Sequence, residues 1–269
     1  MTHRPSRAKR GRRYCQPAKG SAGISRGGVR WLVLALTVAV AGTSGLLAQG
    51  RGGPPVPATP RATALIDLTG YWVSVVTEDW RWRMVTPPKG DYASVPMTRE
   101  ARMVADTWDV SKDGSCLAYG AAGLLRIPTR LRFSWTSDTV LNLETDAGTQ
   151  TRRLVFDRTQ SAGPRSLQGF SLAEWEPAGG RGAPAGDLKV VTTNMTGGWV
   201  RKNGVPYSAN AVLTEYFDRF YGPNGEEWIN VTTIVEDPKY FTLPFVTTTH
   251  FKKEPDGSKW SPSRCRDIE

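Results

Sequence analysis

Histidine is scarce in this chain, and the residue sets that metal centres and catalytic triads need are missing. The 269 residues include only two histidines, His3 and His250. No HExxH motif and no Cys/His cluster occurs, whereas zinc and copper sites need several nitrogen or sulfur ligands. No Gly-x-Ser-x-Gly elbow lies beside His250 either. We therefore predict no catalytic residue, no metal ligand and no cofactor.

Most of the chain has little net charge, although the whole sequence has a formal charge of +10. The first 48 residues contain nine of the 35 Lys and Arg residues and no Asp or Glu. Residues 49–269 therefore contain 26 basic and 25 acidic residues, which gives them a net charge of +1. Nucleic-acid-binding domains normally carry a basic excess. We predict no nucleic-acid partner.

An uncharged run, WLVLALTVAVAGTSGLL, follows this basic region at residues 31–47. A basic region, an apolar stretch and a small residue at the exit are typical of a signal peptide, which we assign to residues 1–48. This assignment predicts a periplasmic or secreted protein. The alternative is an uncleaved membrane anchor, for which 17 residues lie at the short limit. Any membrane contact is expected only through such an uncleaved leader.

Cysteine is also rare, with three residues in the chain. Cys15 precedes the apolar run, so Cys116 and Cys265 remain after cleavage. An even number of cysteines in an exported protein favours one disulfide, here between Cys116 and Cys265. Two free buried thiols are the alternative, because spacing alone does not establish pairing.

The sequence after the leader divides into a short linker and one domain. Residues 49–63, QGRGGPPVPATPRAT, are rich in Gly and Pro and predict a flexible linker. Residues 64–269 are long enough to bury one large core and are assigned to a single β-barrel domain.

Most of this domain consists of short runs rich in Thr, Val and aromatic residues, separated by turn residues, which indicates an all-β protein. One short helix is expected at Met97–Trp108, with Thr98 as its N-cap. Polar and apolar side chains mix on both faces of Ala211–Phe220, which favours an antiparallel barrel, or a curled sheet, around a partly polar interior. The predicted strands are Leu68–Thr77, Trp80–Val85, Arg130–Thr136, Val140–Thr145, Thr149–Phe156, Phe170–Trp175, Leu188–Thr193, Ala211–Phe220, Trp228–Val235 and Phe245–Lys252.

Two resemblances add to this interpretation. The chain resembles a group of exported bacterial β proteins without an assigned activity. The resemblance lies in the stretches DLTGYWVSVVTEDWRWRMVTPPKGDY, CLAYGAAGLLRIPTRL, ETDAGTQTR, TEYFDRF and VTTIVEDPKYFTLPF. Gly70-Tyr71-Trp72 is similar to the first strand of lipocalin-like barrels. The first resemblance implies an exported β protein, and the second implies a barrel that holds a small apolar or amphipathic ligand.

The sequence favours a non-catalytic protein that binds a small apolar or amphipathic molecule as its partner. Nine tryptophans follow the leader, and aromatic side chains commonly line small-ligand pockets. Strand alternation predicts that Trp80 and Trp82 face the interior near Trp72, whereas Arg81 and Arg83 face outward or pair with carboxylates. The candidate ligand-binding residues are Trp72, Trp80, Trp82, Trp135, Arg132, Glu144, Glu215 and Tyr216.

Two other functions remain open. Carboxylates at Glu144, Glu215 and other strand positions are compatible with a hydrolase or isomerase that uses two facing carboxyl groups. Ion pairing with arginines is the simpler explanation of these residues, because an unpaired buried charge is costly. A structural or interaction module of the cell envelope is the third possibility, and it predicts an exposed apolar patch instead of a cavity.

Overall fold

The structure, a computed structural model, describes residues 58–179 and 185–267. The predicted signal peptide and residues 49–57 of the predicted linker lie outside the described residues. The strands are β1 (Gly70–Val75), β2 (Arg130–Ser137), β3 (Val140–Thr145), β4 (Ala147–Gly148), β5 (Thr151–Val155), β6 (Phe170–Pro177), β7 (Gly186–Thr193), β8 (Gly198–Arg201), β9 (Val205–Tyr207), β10 (Val212–Tyr221), β11 (Glu227–Glu236), β12 (Phe245–Glu254) and β13 (Ser263–Arg264). The helices are α1 (Trp80–Arg83), α2 (Arg99–Ala105) and α3 (Ala121–Leu124), with 3-10 turns at Val110–Lys112 and Cys116–Tyr119.

Nine strands form a closed barrel in the order β1-β12-β11-β10-β7-β6-β5-β3-β2, so the predicted all-β barrel is confirmed. Neighbouring strands are antiparallel except β5 and β6, where Leu154 pairs with Ser171 and Val155 with Leu172 in parallel. The barrel is therefore mixed and not purely antiparallel. The reason is the connection at residues 156–169, which is long enough to return the chain along the barrel, as a parallel pair requires.

Side chains fill the middle of the barrel. Alternate residues of each strand point inward, and Trp72, Leu131, Phe133, Phe217 and Phe251 are fully buried there. The rings of Phe133 and Phe217 meet edge to face, with their centroids 5.9 Å apart. The strands thus enclose a packed core.

One end of the barrel is covered by the helices and the β8–β9 hairpin, and α2, α3 and this hairpin share a second apolar core. The predicted helix is confirmed at α2, where Thr98 Oγ1 accepts a hydrogen bond from Ala101 N at 3.1 Å. α3 approaches β8 closely, because a Cβ on Gly123 would lie 2.4 Å from Trp199 O. None of the helices in the described part of the chain is long and apolar enough to cross a membrane.

The predicted strand Trp80–Val85 is wrong, because this segment contains the helical turn α1. Asp79 adopts a left-handed conformation with φ of 52°, and its carbonyl accepts hydrogen bonds from Trp82 N and Arg83 N at 2.9 and 3.0 Å. Residues in a helix turn by about 100° per position, so the Trp/Arg alternation does not separate two faces. A helical segment therefore carries here the alternating pattern that is typical of a strand.

This turn also changes the predicted side-chain directions. Trp80, predicted to face the interior, is 65% exposed. Trp82 is half-buried, and its ring lies under the guanidinium of Arg201. Arg83 is only 1% exposed and forms an ion pair with Glu78, which agrees with the expectation that it pairs with a carboxylate.

Both ends of the described chain are attached to the barrel. The sulfurs of Cys116 and Cys265 lie 1.94 Å apart, so the predicted disulfide pair is present. Near the start, Trp175 Nε1 donates to Pro60 O at 2.8 Å, and Arg61 N donates to Asp138 O at 3.1 Å. Residues 58–63, which we predicted as the end of the linker, are therefore held against the barrel.

Candidate functional site

A cavity of about 600 Å³ lies at the end of the barrel opposite the helices, and we call it the open-end cavity. The ends of β2 and β10, the start of β7 and the segment before β1 meet there. Side chains that line it include Leu65, Ile66, Asp67, Trp135, Arg219 and Tyr221. The open-end cavity therefore combines aliphatic, aromatic and charged groups.

The apolar wall of the open-end cavity rests on the barrel core. Ile66 and Trp135 pack against the buried core cluster. Trp135 stacks on Phe156 with centroids 5.5 Å apart, and Phe156 lies 5.4 Å from Trp175. The indole of Trp175 then holds Pro60 by its hydrogen bond. This aromatic row fixes the wall and joins it to the N-terminal segment.

Arg219 supplies a cation at the open-end cavity, in addition to Arg61, and the position of Arg219 is set by hydrogen bonds. Its Nη2 donates to Tyr221 Oη at 2.7 Å and to Glu227 Oε2 at 2.7 Å. Arg219 shares the inward face of β10 with Phe217, two residues away. The guanidinium is thus held at the cavity wall while part of it stays accessible.

Asp67 supplies an anion on the same wall. Its Oδ1 accepts hydrogen bonds from Thr69 N at 2.9 Å and Thr69 Oγ1 at 2.7 Å. Burial works to raise the pKa of Asp67, but these hydrogen bonds and the charges of Lys253 and Arg219 outweigh it and hold the pKa below its usual value. Asp67 is therefore ionised at neutral pH and complements the nearby cations.

Lys253 lies beside this group. Its ammonium donates to Thr69 O and sits 4.3 Å from the ring centroid of Trp72. Burial lowers the pKa of Lys253, and the carboxylates Glu227 and Asp67 oppose that change. Lys253 thus adds a cation beside Asp67, next to the open-end cavity.

Two further carboxyl groups, Asp187 and Asp218, stand at the rim of the open-end cavity. They flank the cross-strand pair Leu188–Phe217, with Asp187 before Leu188 on β7 and Asp218 after Phe217 on β10. Burial raises the pKa of Asp187, and the neighbouring charges of Asp218 and Glu176 raise it further. Asp187 therefore holds a proton more readily than an isolated carboxyl group does.

Few of the residues predicted from the sequence meet at this cavity. Trp135 lines it. Trp72 is fully buried in the core, and its Nε1 donates to Leu68 O at 2.8 Å. Glu215 is also in the interior, where it pairs with Arg152.

The other predicted residues lie elsewhere. Arg132 and Glu144 form an ion pair at 2.6 Å on the outer face, because the alternating positions Leu131 and Leu143 point inward. Tyr216 is also on the outer face, between the inward Glu215 and Phe217. Trp80 and Trp82 belong to α1, at the end of the barrel that the helices cover.

Sequence reasoning did not select Asp67, Arg219 and Tyr221. A signal for Arg219 was present, since it shares the alternating face of β10 that carries Glu215 and Phe217. Asp67 gave no comparable signal, because it lies just before β1 and outside any periodic run. Its place beside Arg219 depends on closure of the barrel.

Across residues 58–179 and 185–267, no group of three or more His, Cys, Asp or Glu side chains is arranged to hold a metal ion. Comparison of the chain with protein-family models, with curated proteins and with solved structures finds no match.

Proposed function

We propose that this protein binds a small amphipathic molecule in the open-end cavity and does not transform it. The observation that supports this most directly is the open-end cavity itself, with its volume of about 600 Å³ and its mixed lining. Ligand pockets in proteins commonly measure roughly 300–1,000 Å³ and combine an apolar wall with a few placed polar groups.

The two parts of the lining suggest how the ligand lies. Its apolar part would contact Leu65 together with Ile66 and Trp135, and the last two are held by packing on the core. Its polar group would face Arg219 and Asp67, whose side chains are positioned by neighbouring hydrogen bonds. A ligand with both a hydrogen-bond donor and an acceptor on its head group fits this pair of opposite charges.

We also propose that the protein is located outside the cytoplasm, in the periplasm or in the secreted fraction. The pairing of Cys116 with Cys265 supports this location, since disulfides persist mainly in oxidising compartments. The sequence of residues 1–48 supports it independently.

The binding proposal is tested with a panel of long-chain fatty acids, alkyl amines and alkyl glycosides. Thermal unfolding identifies a stabilising compound, and calorimetry gives its Kd. Trp135→Ala is expected to raise that Kd about tenfold, since an aromatic wall residue contributes on the order of 1–2 kcal/mol. Trp228→Ala is the matched control, because Trp228 is a half-buried tryptophan that stacks on Phe220 away from the cavity.

Two results would contradict the binding proposal. One is a panel in which no compound changes the unfolding temperature. The other is an equal loss of affinity in Trp135→Ala and Trp228→Ala, because binding would then not depend on the open-end cavity.

A carboxylate-dependent hydrolase or isomerase is the second candidate, and one observation favours it. Asp187, with its raised pKa, stands beside Asp218 at the cavity rim, and such pairs can supply acid and base groups. The interior Glu215 weighs against it, because Arg152 already pairs with that carboxylate. An assay with chromogenic esters and glycosides from pH 4 to 8 tests this second function. If the wild type turns these substrates over no faster than Asp187→Asn does, the enzyme hypothesis is wrong.

A further inference from the structure

Three arginines are buried together at the end of the barrel that the helices cover, and we call them the arginine cluster. Arg83, Arg126 and Arg201 are 1%, 5% and 3% exposed, respectively. They line a cavity of about 10 Å³, together with Trp82, Val200 and Lys202. This space is separate from the open-end cavity, with which it shares no lining residue.

Two members of the arginine cluster have carboxylate partners. Arg83 forms an ion pair with Glu78, and its Nε donates to Arg126 O at 3.0 Å. Arg126 Nη1 lies 3.0 Å from Asp79 Oδ2. Each of these buried charges is therefore compensated by a carboxylate from the segment between β1 and α1.

Arg201 differs from both. Within the described residues, its Nε, Nη1 and Nη2 are buried without a hydrogen-bond partner. The guanidinium lies over the ring of Trp82, with Cζ 4.7 Å from the ring centroid, which compensates the charge only in part. Burial, together with the charge of Arg126, lowers the pKa of Arg201 to about 10, so the group is still protonated at neutral pH.

The nearest carboxylates are already engaged by other groups. Asp91 Oδ2 accepts from Arg81 at 2.7 Å, and Asp91 Oδ1 accepts from the Trp82 indole at 3.1 Å. Asp79 pairs with Arg126. Because both carboxylates are engaged, the charge of Arg201 lacks a counterion from the described residues. Lys202 adds a further cation to the lining of the cavity.

We propose that the arginine cluster binds one small monatomic anion against the guanidinium of Arg201, and that this anion is chloride. A cavity of about 10 Å³ has room for one water-sized species. A chloride ion is somewhat larger than a water molecule, so the side chains that line the cavity would move slightly apart to admit it. Phosphate and sulfate are several times larger and do not fit. The anion would accept hydrogen bonds from the unpartnered N–H groups of Arg201. It would also compensate the positive charge of Arg201, which is costly to bury alone.

Thermal unfolding of the full chain at constant ionic strength measures this binding. Sodium chloride is compared with sodium gluconate, whose anion is too large for the cavity. A ligand that binds only the folded state raises the unfolding temperature, and chloride at ten times its Kd is expected to raise it by about 3–6 °C.

Arg201→Met separates this site from nonspecific salt effects. Methionine keeps much of the side-chain volume and removes the charge, so this variant is expected to fold and to lose the difference between chloride and gluconate. Arg132→Met is the matched control, because Arg132 is a paired arginine on the outer face. It is expected to keep the full difference.

Crystals grown in sodium bromide provide a direct readout through anomalous scattering. We expect a bromide peak within hydrogen-bonding distance of the Arg201 guanidinium and no such peak in Arg201→Met. Equal unfolding temperatures in chloride and gluconate, or an ordered water in place of bromide, would overturn the proposal. Stabilisation by sulfate but not by chloride would overturn the assignment to a monatomic anion.

Discussion

Arg152 and Glu215 form a two-point ion pair inside the barrel, with Nη1–Oε1 and Nη2–Oε2 distances of 3.0 and 2.6 Å. Both side chains are 0% exposed, and Arg152 Nη2 also donates to Thr192 Oγ1 at 3.0 Å. The pair joins β5 to β10 across the interior, which explains how charged residues are accommodated in a packed core.

Breaking this pair from one side should destabilise the protein strongly. Glu215→Gln leaves the Arg152 charge uncompensated, and we expect a loss of about 3–5 kcal/mol in the free energy of unfolding, measured by urea denaturation. The double variant Arg152→Met/Glu215→Leu should recover most of that loss, since apolar side chains can replace a buried pair. A double variant as unstable as the single one would show that shape, and not charge, dominates here.

The Cys116–Cys265 pair should contribute to stability because it closes a loop of 149 residues in sequence separation. Cys116→Ser/Cys265→Ser is expected to lose about 3–5 kcal/mol in the free energy of unfolding, because the unfolded chain gains freedom. Adding a reductant to the wild type should reproduce that loss, and the double serine variant should not respond to it. A wild type that is equally stable with and without reductant would contradict this prediction.

Stability should depend on pH through Asp187. Its folded-state pKa is raised above the usual 3.8 by burial and by the charges of Asp218 and Glu176, so the folded protein binds this proton more tightly than the unfolded chain does. The contribution is therefore fully present below about pH 3.8 and is lost as pH rises through the folded-state pKa. Asp218→Asn should lower the pKa of Asp187, measured by NMR titration of its carboxyl carbon. Glu236→Gln, a change at an exposed carboxyl group beside Val212 at the opposite end of β10, should leave that pKa unaltered.

Gly123 should not tolerate a side chain. A Cβ there would lie 2.4 Å from Trp199 O and 2.8 Å from Ala118 O, so α3 and β8 would have to separate. We expect Gly123→Ala to lower the free energy of unfolding by about 1–3 kcal/mol in denaturant melts. Gly163→Ala is the matched control, because a Cβ at Gly163 meets nothing within 4 Å, and its stability should stay close to that of the wild type.

The strands were predictable from the sequence because their side chains alternate against one packed core. Val140–Thr145 agrees with β3 at both ends, and the Thr98-capped helix lies within the predicted range. The strand prediction for the DWRWR segment was wrong because it used the same signal. Trp and Arg alternate there, but the segment does not pair with a sheet. The left-handed Asp79, which turns the chain, gives no periodic signal.

The candidate sites were less predictable than the fold. The open-end cavity brings together Asp67, Trp135 and Arg219, which are far apart in the chain and meet only because the barrel closes. The arginine cluster likewise joins Arg83, Arg126 and Arg201 from separate elements. Local pattern identifies which strands exist, whereas the convergence of side chains from distant strands depends on their order around the barrel.

The parallel pairing of β5 with β6 is the one seam that closes an otherwise continuous antiparallel sheet, β6-β7-β10-β11-β12-β1-β2-β3-β5. This seam holds two residue pairs, whereas the antiparallel pairing of β1 with β12 holds five. The shorter seam offers the least resistance to local opening. Amide hydrogen exchange should therefore be faster at Leu154 and Leu172 than in the centre of β11.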